Sequence, residues 1–287
     1  MSLQYLKVSS IEQLLQNIDE PEAQILCGGT DLLVKMRSKL IQPSLLLDIS
    51  EVEDLRGIRE GNGEIEIGAA VTEGEIIASK GIAERLPLLV TALLQLGSVQ
   101  IRNRGTLGGN LVNASPSADS AIPLLLYDAE VILQSVSGER HVSVEDFLLG
   151  PGKTAIERGE FLRAIVIPVP SGKFSQFLHK VGRRKALTIA IASLGALLRM
   201  EDDTVEAIRL AAGSVAPTPI RLHRVEKFLI GSKLTDSVIA SARELASSSV
   251  SPIDDIRASA DYRRHVIGDL LARLLRDEME KIGSLPF

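Results

Sequence analysis

Residues 25–32 of the chain read Ile25-Leu26-Cys27-Gly28-Gly29-Thr30-Asp31-Leu32, and residues 106–110 read Thr106-Leu107-Gly108-Gly109-Asn110. Both stretches place two adjacent glycines after an apolar or β-branched run, with a small hydroxyl residue close by. A glycine pair adopts positive φ at low cost and lets another group approach the backbone closely. Successive exposed N–H groups in such a turn form a concave anion site. Two such sites in one chain predict a ligand with two phosphates, such as a dinucleotide.

Neither glycine pair matches the G-x-G-x-x-G fingerprint of a Rossmann fold, and the chain has no Walker A sequence. Gly61-Asn62-Gly63 and Gly68 also miss that spacing, and they precede a predicted strand rather than a helix. These observations argue against a Rossmann-type NAD domain and a Walker-type ATP domain. A single glycine pair is most often only a tight turn, so the alternative that both pairs are merely turns stays open.

The composition is that of a globular protein with an aliphatic core. The chain has 287 residues, of which 45% are hydrophobic but only 3% are aromatic, and none is tryptophan. This length permits one large domain or two smaller ones. The formal net charge of −5 gives no reason to expect a nucleic-acid partner.

Cysteine usage and hydropathy narrow the class of protein further. Cys27 is the single cysteine, which excludes an internal disulfide, a Cys-ligated iron–sulfur cluster and a cysteine-rich zinc site within this chain. No stretch approaches the roughly 20 apolar residues that a membrane-spanning helix needs, and the first residues lack the apolar region of a signal peptide. The four histidines are scattered without ligand spacing, so no metal site is expected. We therefore expect a cytoplasmic protein without an integral membrane segment.

Apolar runs, alternation and helix-capping residues predict two successive regions of mixed helix and strand. Strands are predicted over 23–27, 45–49, 64–67, 130–134, 162–167, 175–181, 189–200 and 205–212. Helices are predicted over 11–18, 31–40, 88–96, 122–126, 221–230 and 236–247. A last helix carries an apolar stripe through Val266, Leu270 and Leu274. The best linker candidate is Pro168-Val169-Pro170-Ser171-Gly172, which separates an N-terminal α+β domain from a smaller domain of sheet plus helices.

Two polar features have both a structural and a functional interpretation. Asp119 can cap the predicted helix that follows it, or it can accept hydrogen bonds from sugar or ribityl hydroxyls, and the two roles are compatible. The short basic run Gly182-Arg183-Arg184-Lys185 is interpreted first as a solvated hairpin turn. Otherwise it is a contact to a cofactor phosphate or a docking patch, and the exposed part of the C-terminal apolar stripe is a second candidate docking surface.

Three segments resemble the FAD-binding subunit of molybdenum hydroxylases. Residues 27–32 are similar to the family's AGGTDL segment, and residues 100–110 resemble its QIRNRGTIGGN run, which Asn113-Ala114-Ser115-Pro116-Ser117-Ala118-Asp119 continues. Residues 251–264 are similar to the family's PISDIRGSAEYRR segment. The resemblance extends in order from about residue 3 to about residue 280. The family includes the medium chain of aerobic carbon monoxide dehydrogenase, and the FAD domain of xanthine dehydrogenase is similar.

The resemblance implies an α+β fold. It consists of a vanillyl-alcohol-oxidase or PCMH-type FAD-binding domain over 1–170, built of two α+β subdomains over about 1–55 and 56–170. A smaller α+β domain like the carbon monoxide dehydrogenase flavoprotein C-terminal domain follows over 171–287.

The resemblance also implies an oxidoreductase complex. A large subunit with a molybdopterin cofactor oxidises the substrate, and a small subunit with two [2Fe–2S] clusters relays electrons to this chain. The complex is expected to be a dimer of heterotrimers. This chain would pass electrons through FAD to an external acceptor, while the substrate (carbon monoxide, an aldehyde, a purine or another heterocycle) and the acceptor both stay open.

Site residues follow from the same resemblance, position by position. Residues 25–32 and 106–110 would bind the FAD pyrophosphate, and Asp119 would bind the ribityl or ribose hydroxyls. Leu162 and Lys180 align with positions that flank the flavin. No catalytic acid or base is expected, because the flavin carries the redox chemistry and the protein supplies binding and electrostatics. A cation near the flavin N1 and C2 carbonyl would stabilise the reduced form, and Lys180 is our hypothesis for that cation.

Two other functions remain open at this point. A stand-alone FAD oxidase of the same fold would need a substrate pocket and a covalent attachment point, and only Cys27, which precedes the turn, is close to a glycine pair. A degenerate interaction subunit that no longer binds FAD is disfavoured by the intact glycine pairs and by Asp119. A flavin spectrum separates the last alternative from the others, and turnover by the isolated chain separates the oxidase from the electron-transfer subunit.

Overall fold

A computed structural model describes residues 3–184 and 187–283 of the chain. Both halves of the chain contain helices and strands, as the sequence predicts. The strands are β1 Gln4–Lys7, β2 Ala23–Leu26, β3 Leu45–Asp48, β4 Ile58–Gly61, β5 Glu64–Gly68, β6 Glu130–Ser135, β7 Gly138–Ser143, β8 Leu148–Gly150, β9 Lys153–Thr154, β10 Phe161–Pro168, β11 Ser175–Val181, β12 Ala192–Glu201, β13 Thr204–Gly213 and β14 Ile220–Arg221. The helices are α1 Ile11–Asn17, α2 Leu32–Arg37, α3 Glu73–Ala78, α4 Lys80–Arg85, α5 Pro87–Leu94, α6 Val99–Arg102, α7 Leu107–Val112, α8 Ala121–Leu126, α9 Val144–Phe147, α10 His223–Leu229, α11 Asp236–Ser248 and α12 Ala260–Gly283, with a 3₁₀ turn over Glu53–Leu55.

The chain separates into two compact units. The first extends as far as Ser115 and resumes over Asp128–Val169. The second consists of Pro116–Tyr127 together with the chain from Pro170 onward. The change of unit after Val169 lies within the predicted linker. The segment Pro116–Tyr127 packs with the second unit although the sequence on both sides of it belongs to the first.

The first unit begins with a three-stranded parallel sheet in the order β1-β3-β2. The helices α1 and α2 connect successive strands, as parallel pairing requires. Ser10 caps α1 by accepting a hydrogen bond from the Gln13 amide, and Leu14 of this helix packs with Leu47 of β3 in a buried apolar cluster. Strand β2 ends at Leu26, so the first glycine pair lies where the chain leaves this sheet.

A five-stranded antiparallel sheet completes the first unit, in the order β4-β5-β10-β6-β7. Strand β5 shows the predicted alternation, because Ile65 and Ile67 are fully buried whereas Glu64 is exposed. Helices α3 to α7 follow β5 along the chain, and α7 packs against β10. Helix α5 ends at Leu94, and Gly97 shortly after it has a positive φ of 48°.

The second unit is an antiparallel meander in the order β11-β12-β13-β14, with α8, α10 and α12 packed on its strands. Helix α8 approaches the sheet so closely that a Cβ at Gly195 of β12 would lie 2.5 Å from Ile122 Cγ2. A Cβ at Gly213 of β13 would lie 3.0 Å from Ile122 Cδ1. Because neither glycine has a side chain, α8 can pack directly against the sheet at these two positions.

The apolar stripe of α12 is part of the core of this unit. Leu270 and Leu274 are almost completely buried, and Ile267, Leu271 and Leu275 beside them are fully buried. Burial against α11 and β12 accounts for the stripe. The prediction that its exposed part forms a docking surface is therefore wrong, because these five side chains face the protein interior.

The elements that were predicted differ from those of the structure mainly at their ends, and several short elements, such as β1, β4 and α4, were not predicted. Strand β12 begins at Ala192 rather than at 189. The helix predicted over 221–230 is shorter, because Arg221 pairs with Ala211 as part of β14 before α10 begins. Sequence periodicity locates elements better than it locates their boundaries.

Candidate functional site

The first glycine pair forms a turn directly after β2. Gly29 has a φ of +72°, a backbone conformation that favours glycine. Gly28 has a different reason to be glycine: a Cβ there would lie 2.1 Å from the backbone oxygen of Arg104 and 3.0 Å from Gly105 Cα. The turn therefore rests directly on the backbone that leads into the second glycine pair, and the structure brings the two predicted segments together.

Three successive backbone amides of this turn are available to a ligand. In residues 3–184 and 187–283, no hydrogen bond uses the N–H of Gly29, Thr30 or Asp31 as donor. The carbonyls of Gly29 and Asp31 are used instead, by the amides of Leu33 and Lys35 at 3.2 and 3.0 Å. Gly29 and Thr30 are half-buried and Asp31 is exposed. Amides in this arrangement are the donors that bind phosphate oxygens in other nucleotide sites.

The sequence suggests that the second glycine pair forms a loop turn. In the structure, this pair is instead part of the first turn of helix α7. Thr106 caps this helix by accepting a hydrogen bond from the Gly109 amide at 3.0 Å. A Cβ at Gly108 would lie 2.7 Å from the backbone oxygen of Ala69, so this glycine permits close packing. A Cβ at Gly109 would meet only Thr106 Oγ1, at 2.9 Å. Gly109 is exposed, so its outer face leaves room for a ligand.

Cys27 joins the two segments through its side chain. Its thiol lies in hydrogen-bond contact with the Thr106 hydroxyl. Burial raises the pKa of the Cys27 thiol, and the bond from Thr106 only partly opposes this effect. The thiol is therefore protonated at neutral pH and is a poor nucleophile. This environment does not favour the covalent flavin attachment that a stand-alone oxidase would use.

A cleft of about 410 Å³ adjoins the same segments. Cys27, Gly28 and Thr106 line it together with charged side chains that sequence reasoning missed, among them Arg56 and Glu75. Arg56 Nη2 lies 2.9 Å from Glu75 Oε1. Burial alone would raise the pKa of Glu75, but hydrogen bonds from Thr72 and the charge of Arg56 lower it. The cleft is therefore polar, with an ionised carboxylate held by a guanidinium.

Asp119 and Lys180 form a largely buried ion pair in the second unit. Lys180 Nζ on β11 lies 2.6 Å from Asp119 Oδ2, and the two side chains are 7% and 13% exposed. Burial raises the pKa of Asp119, while Lys180 acts in the opposite direction. Asp119 is not the cap of α8, because Ser120 occupies that position without a side-chain capping bond. The structure thus pairs two predicted cofactor residues that are 61 positions apart.

The remaining predicted residues are Leu162 and the basic run Gly182-Arg183-Arg184-Lys185. Leu162 lies on β10 of the first unit, opposite Leu133 of β6, and it is almost completely buried. In the basic run, Arg183 donates to the backbone oxygen of Ile256 and Arg184 to that of Leu187. Lys185 lies outside the described residues.

The described part of the chain offers neither a metal site nor a membrane-spanning helix. Within residues 3–184 and 187–283, no group of three His, Cys, Asp or Glu side chains is placed to hold a metal ion. Every helix described is too short or too polar to cross a lipid bilayer.

Comparisons with known proteins identify one family over both regions of the chain. Residues 1–170 match the model of the FAD binding domain in molybdopterin dehydrogenase. Residues 177–277 match that of the CO dehydrogenase flavoprotein C-terminal domain. These matches agree with the expected α+β fold, in which a FAD-binding domain precedes a flavoprotein C-terminal domain.

Individual relatives match over almost their whole length. The glyceraldehyde dehydrogenase medium chain of Sulfolobus acidocaldarius is 31% identical over 95% of this chain and 97% of its own. The putative xanthine dehydrogenase FAD-binding subunit of Escherichia coli strain K12 is 33% identical over 93% of this chain and 92% of its own. The solved structure of carbon monoxide dehydrogenase from Hydrogenophaga pseudoflava superposes with a TM-score of 0.90 at 31% identity, covering 95% of this chain and 96% of that one. The expected fold is therefore confirmed.

Proposed function

Because the chain belongs to the family of FAD-binding subunits of molybdopterin dehydrogenases, we propose that it is an electron-transfer subunit of a molybdenum hydroxylase. It takes electrons from iron–sulfur clusters on a partner and passes them through FAD to an external acceptor. The observation that carries this proposal is the turn at Gly28 and Gly29, which packs on the second glycine segment and keeps three amides available.

The residues of the first unit fit the pyrophosphate of FAD. The free amides of Gly29, Thr30 and Asp31 are donors for phosphate oxygens, and Gly109 leaves open space beside them on α7. Bound FAD supplies the redox chemistry, and the side chains described supply binding and electrostatics. The proposed FAD-binding residues are Ile25, Leu26, Cys27, Gly28, Gly29, Thr30, Asp31, Leu32, Thr106, Leu107, Gly108, Gly109, Asn110, Asp119, Leu162 and Lys180.

The names of the relatives support a proposal about partners. A relative named medium chain and another named FAD-binding subunit are each one part of a larger enzyme. We propose that this chain works in the cytoplasm with a small [2Fe–2S] subunit and a large molybdopterin subunit, as a dimer of heterotrimers. Size measurement and metal analysis of the complex that co-purifies with the chain test this arrangement.

A visible absorption spectrum of the purified chain, repeated after addition of FAD and desalting, tests the function. We expect retained flavin absorbance, and the released cofactor should be FAD rather than FMN. Specific binding must also stabilise the folded chain, by about 2.7 kcal/mol at a hundredfold excess of FAD over its Kd. If the chain retains no flavin and its melting temperature does not rise with FAD, the proposed function is wrong.

Replacing Lys180 with alanine is expected to lower the reduction potential of the bound flavin by about 30 mV, which equals about 1.4 kcal/mol for a two-electron couple. The change removes a positive charge that favours the more negative reduced form, and it leaves the buried Asp119 carboxylate without this cation. Lys180→Arg keeps the charge and should preserve the potential. Lys227→Ala, at an exposed position on α10, is the control. An unchanged potential in Lys180→Ala would contradict the electrostatic role.

A further inference from the structure

Lys35 links helix α2, which follows the first glycine pair, to helix α7, which contains the second. It lies on α2, six residues after Gly29, and its backbone amide donates to the backbone oxygen of Asp31 at 3.0 Å. Its ammonium lies 2.5 Å from Asn113 Oδ1. Asn113 is the C-cap of α7, and its backbone N–H donates to the backbone oxygen of Gly109. One side chain therefore extends from the helix after the first pair to the helix that contains the second.

The charge of Lys35 is not neutralised by the chain itself. In the described part of the molecule, no carboxylate lies within 4.0 Å of its ammonium, and its side-chain bond is to the neutral amide of Asn113. An ammonium has three N–H groups, so this single bond leaves donors for another acceptor. Most other half-buried cations of the first unit pair with carboxylates. Arg140, for example, binds the carboxylate of Glu160.

A pyrophosphate diester carries two negative charges, and the amides of Gly29, Thr30 and Asp31 offer only partial positive charge. A bond from an ammonium to a phosphate oxygen is roughly twice as strong as one between neutral groups. We propose that Lys35 binds the pyrophosphate of FAD directly, and that Asn113 holds its ammonium in place. This inference rests on the proposed function, because it concerns the same cofactor.

Calorimetric titration of the full-length chain with FAD, and separately with ADP, tests this inference. ADP is the second probe because it shares the pyrophosphate but lacks the flavin. Lys35→Gln keeps a donor for Asn113 and removes the charge, so it should weaken both ligands about tenfold, the scale of a lost bond to a charged group. The affinity of the variant should also depend less on salt concentration than that of the wild type.

Two further variants separate charge from structure. Lys35→Arg keeps the charge and should bind both ligands within about threefold of the wild type. Arg37→Gln removes a cation from an exposed position on the same helix and should bind them unchanged. Equal affinity of Lys35→Gln and wild type would overturn the inference and leave the proposed function standing. A wild-type chain that binds neither FAD nor ADP would overturn both.

Discussion

Gly28→Ala is expected to abolish retention of FAD and to lower the free energy of unfolding by about 1–3 kcal/mol. The added Cβ would lie 2.1 Å from the carbonyl oxygen of Arg104 and 2.8 Å from its carbonyl carbon. These are backbone atoms, so they cannot turn aside as a flexible side chain can. The first glycine turn must move away from the second glycine segment, and the proposed pyrophosphate donors on the two segments then no longer face one ligand.

The control for this variant is Gly57→Ala in the same unit. Nothing lies within 4 Å of a Cβ at Gly57, and its φ is not positive. Its effect on stability should be small, within about 1 kcal/mol, and of either sign. Flavin absorbance after desalting and thermal unfolding followed by circular dichroism give the two readouts. If the Gly28→Ala protein retains as much FAD per chain as the wild type, FAD binding does not require the close approach of Gly28 to the Arg104 carbonyl.

Arg263→Met is expected to destabilise the second unit by about 3–5 kcal/mol, the cost of breaking a buried ion pair by removing one partner. Arg263 is 2% exposed. Its guanidinium donates to the backbone oxygens of Ile191 and Ser214 at 2.9 and 2.8 Å, and to Asp255 Oδ1 at 2.6 Å. Methionine preserves much of the volume but none of these donors, so two buried carbonyls lose this partner and Asp255 keeps only Arg257 as a charged partner.

The neighbouring residue provides a matched control. The Arg264 side chain is 40% exposed and pairs with Asp261 on the helix surface, so Arg264→Met should cost less than about 0.5 kcal/mol. Denaturant unfolding of both variants measures the difference. Equal midpoints for the two variants would show that Arg263 does not hold the start of α12 to the sheet.

Asp255 adds a dependence on pH to the same prediction. Burial alone would raise its pKa, but hydrogen bonds from Arg257 and Arg263 hold that pKa well below its usual range. A carboxyl whose folded pKa is lowered contributes stability above its unfolded pKa of about 3.9, and this contribution is lost as the pH falls further. The wild type should therefore lose stability below about pH 4 more steeply than Arg263→Met.

Local chemistry predicted much of the fold. Helix-capping residues are one such signal, and Ser10 and Thr72 do accept the capping hydrogen bonds at the starts of α1 and α3. The alternation through Ile65 and Ile67 correctly indicated a half-buried strand. The α+β class followed from the apolar patterns, and the family from the glycine segments and residues 251–264. These features depend on residues close in sequence, which is why a single chain reveals them.

The errors have tertiary causes. The second glycine pair looks like a turn because glycine disfavours helices, but the Thr106 cap and the contact of Gly108 with Ala69 place it in α7. The ion pair of Asp119 and Lys180 joins residues from distant parts of the sequence, so no local sequence pattern predicts it. The roles of both residues, like those of the glycine segments, stay predictions until a flavin is bound and measured.

Helix α8 has a consequence for how the protein is made. Pro116–Tyr127 leaves the ribosome before Asp128–Val169, yet it belongs with strands β12 and β13, which are synthesised much later. The first unit is fully synthesised by Val169, but α8 must then wait until β12 and β13 have also been made before it can pack on them. For the same reason, a gene fragment starting at Pro170 would encode a sheet whose surface at Gly195 and Gly213 lacks its covering helix.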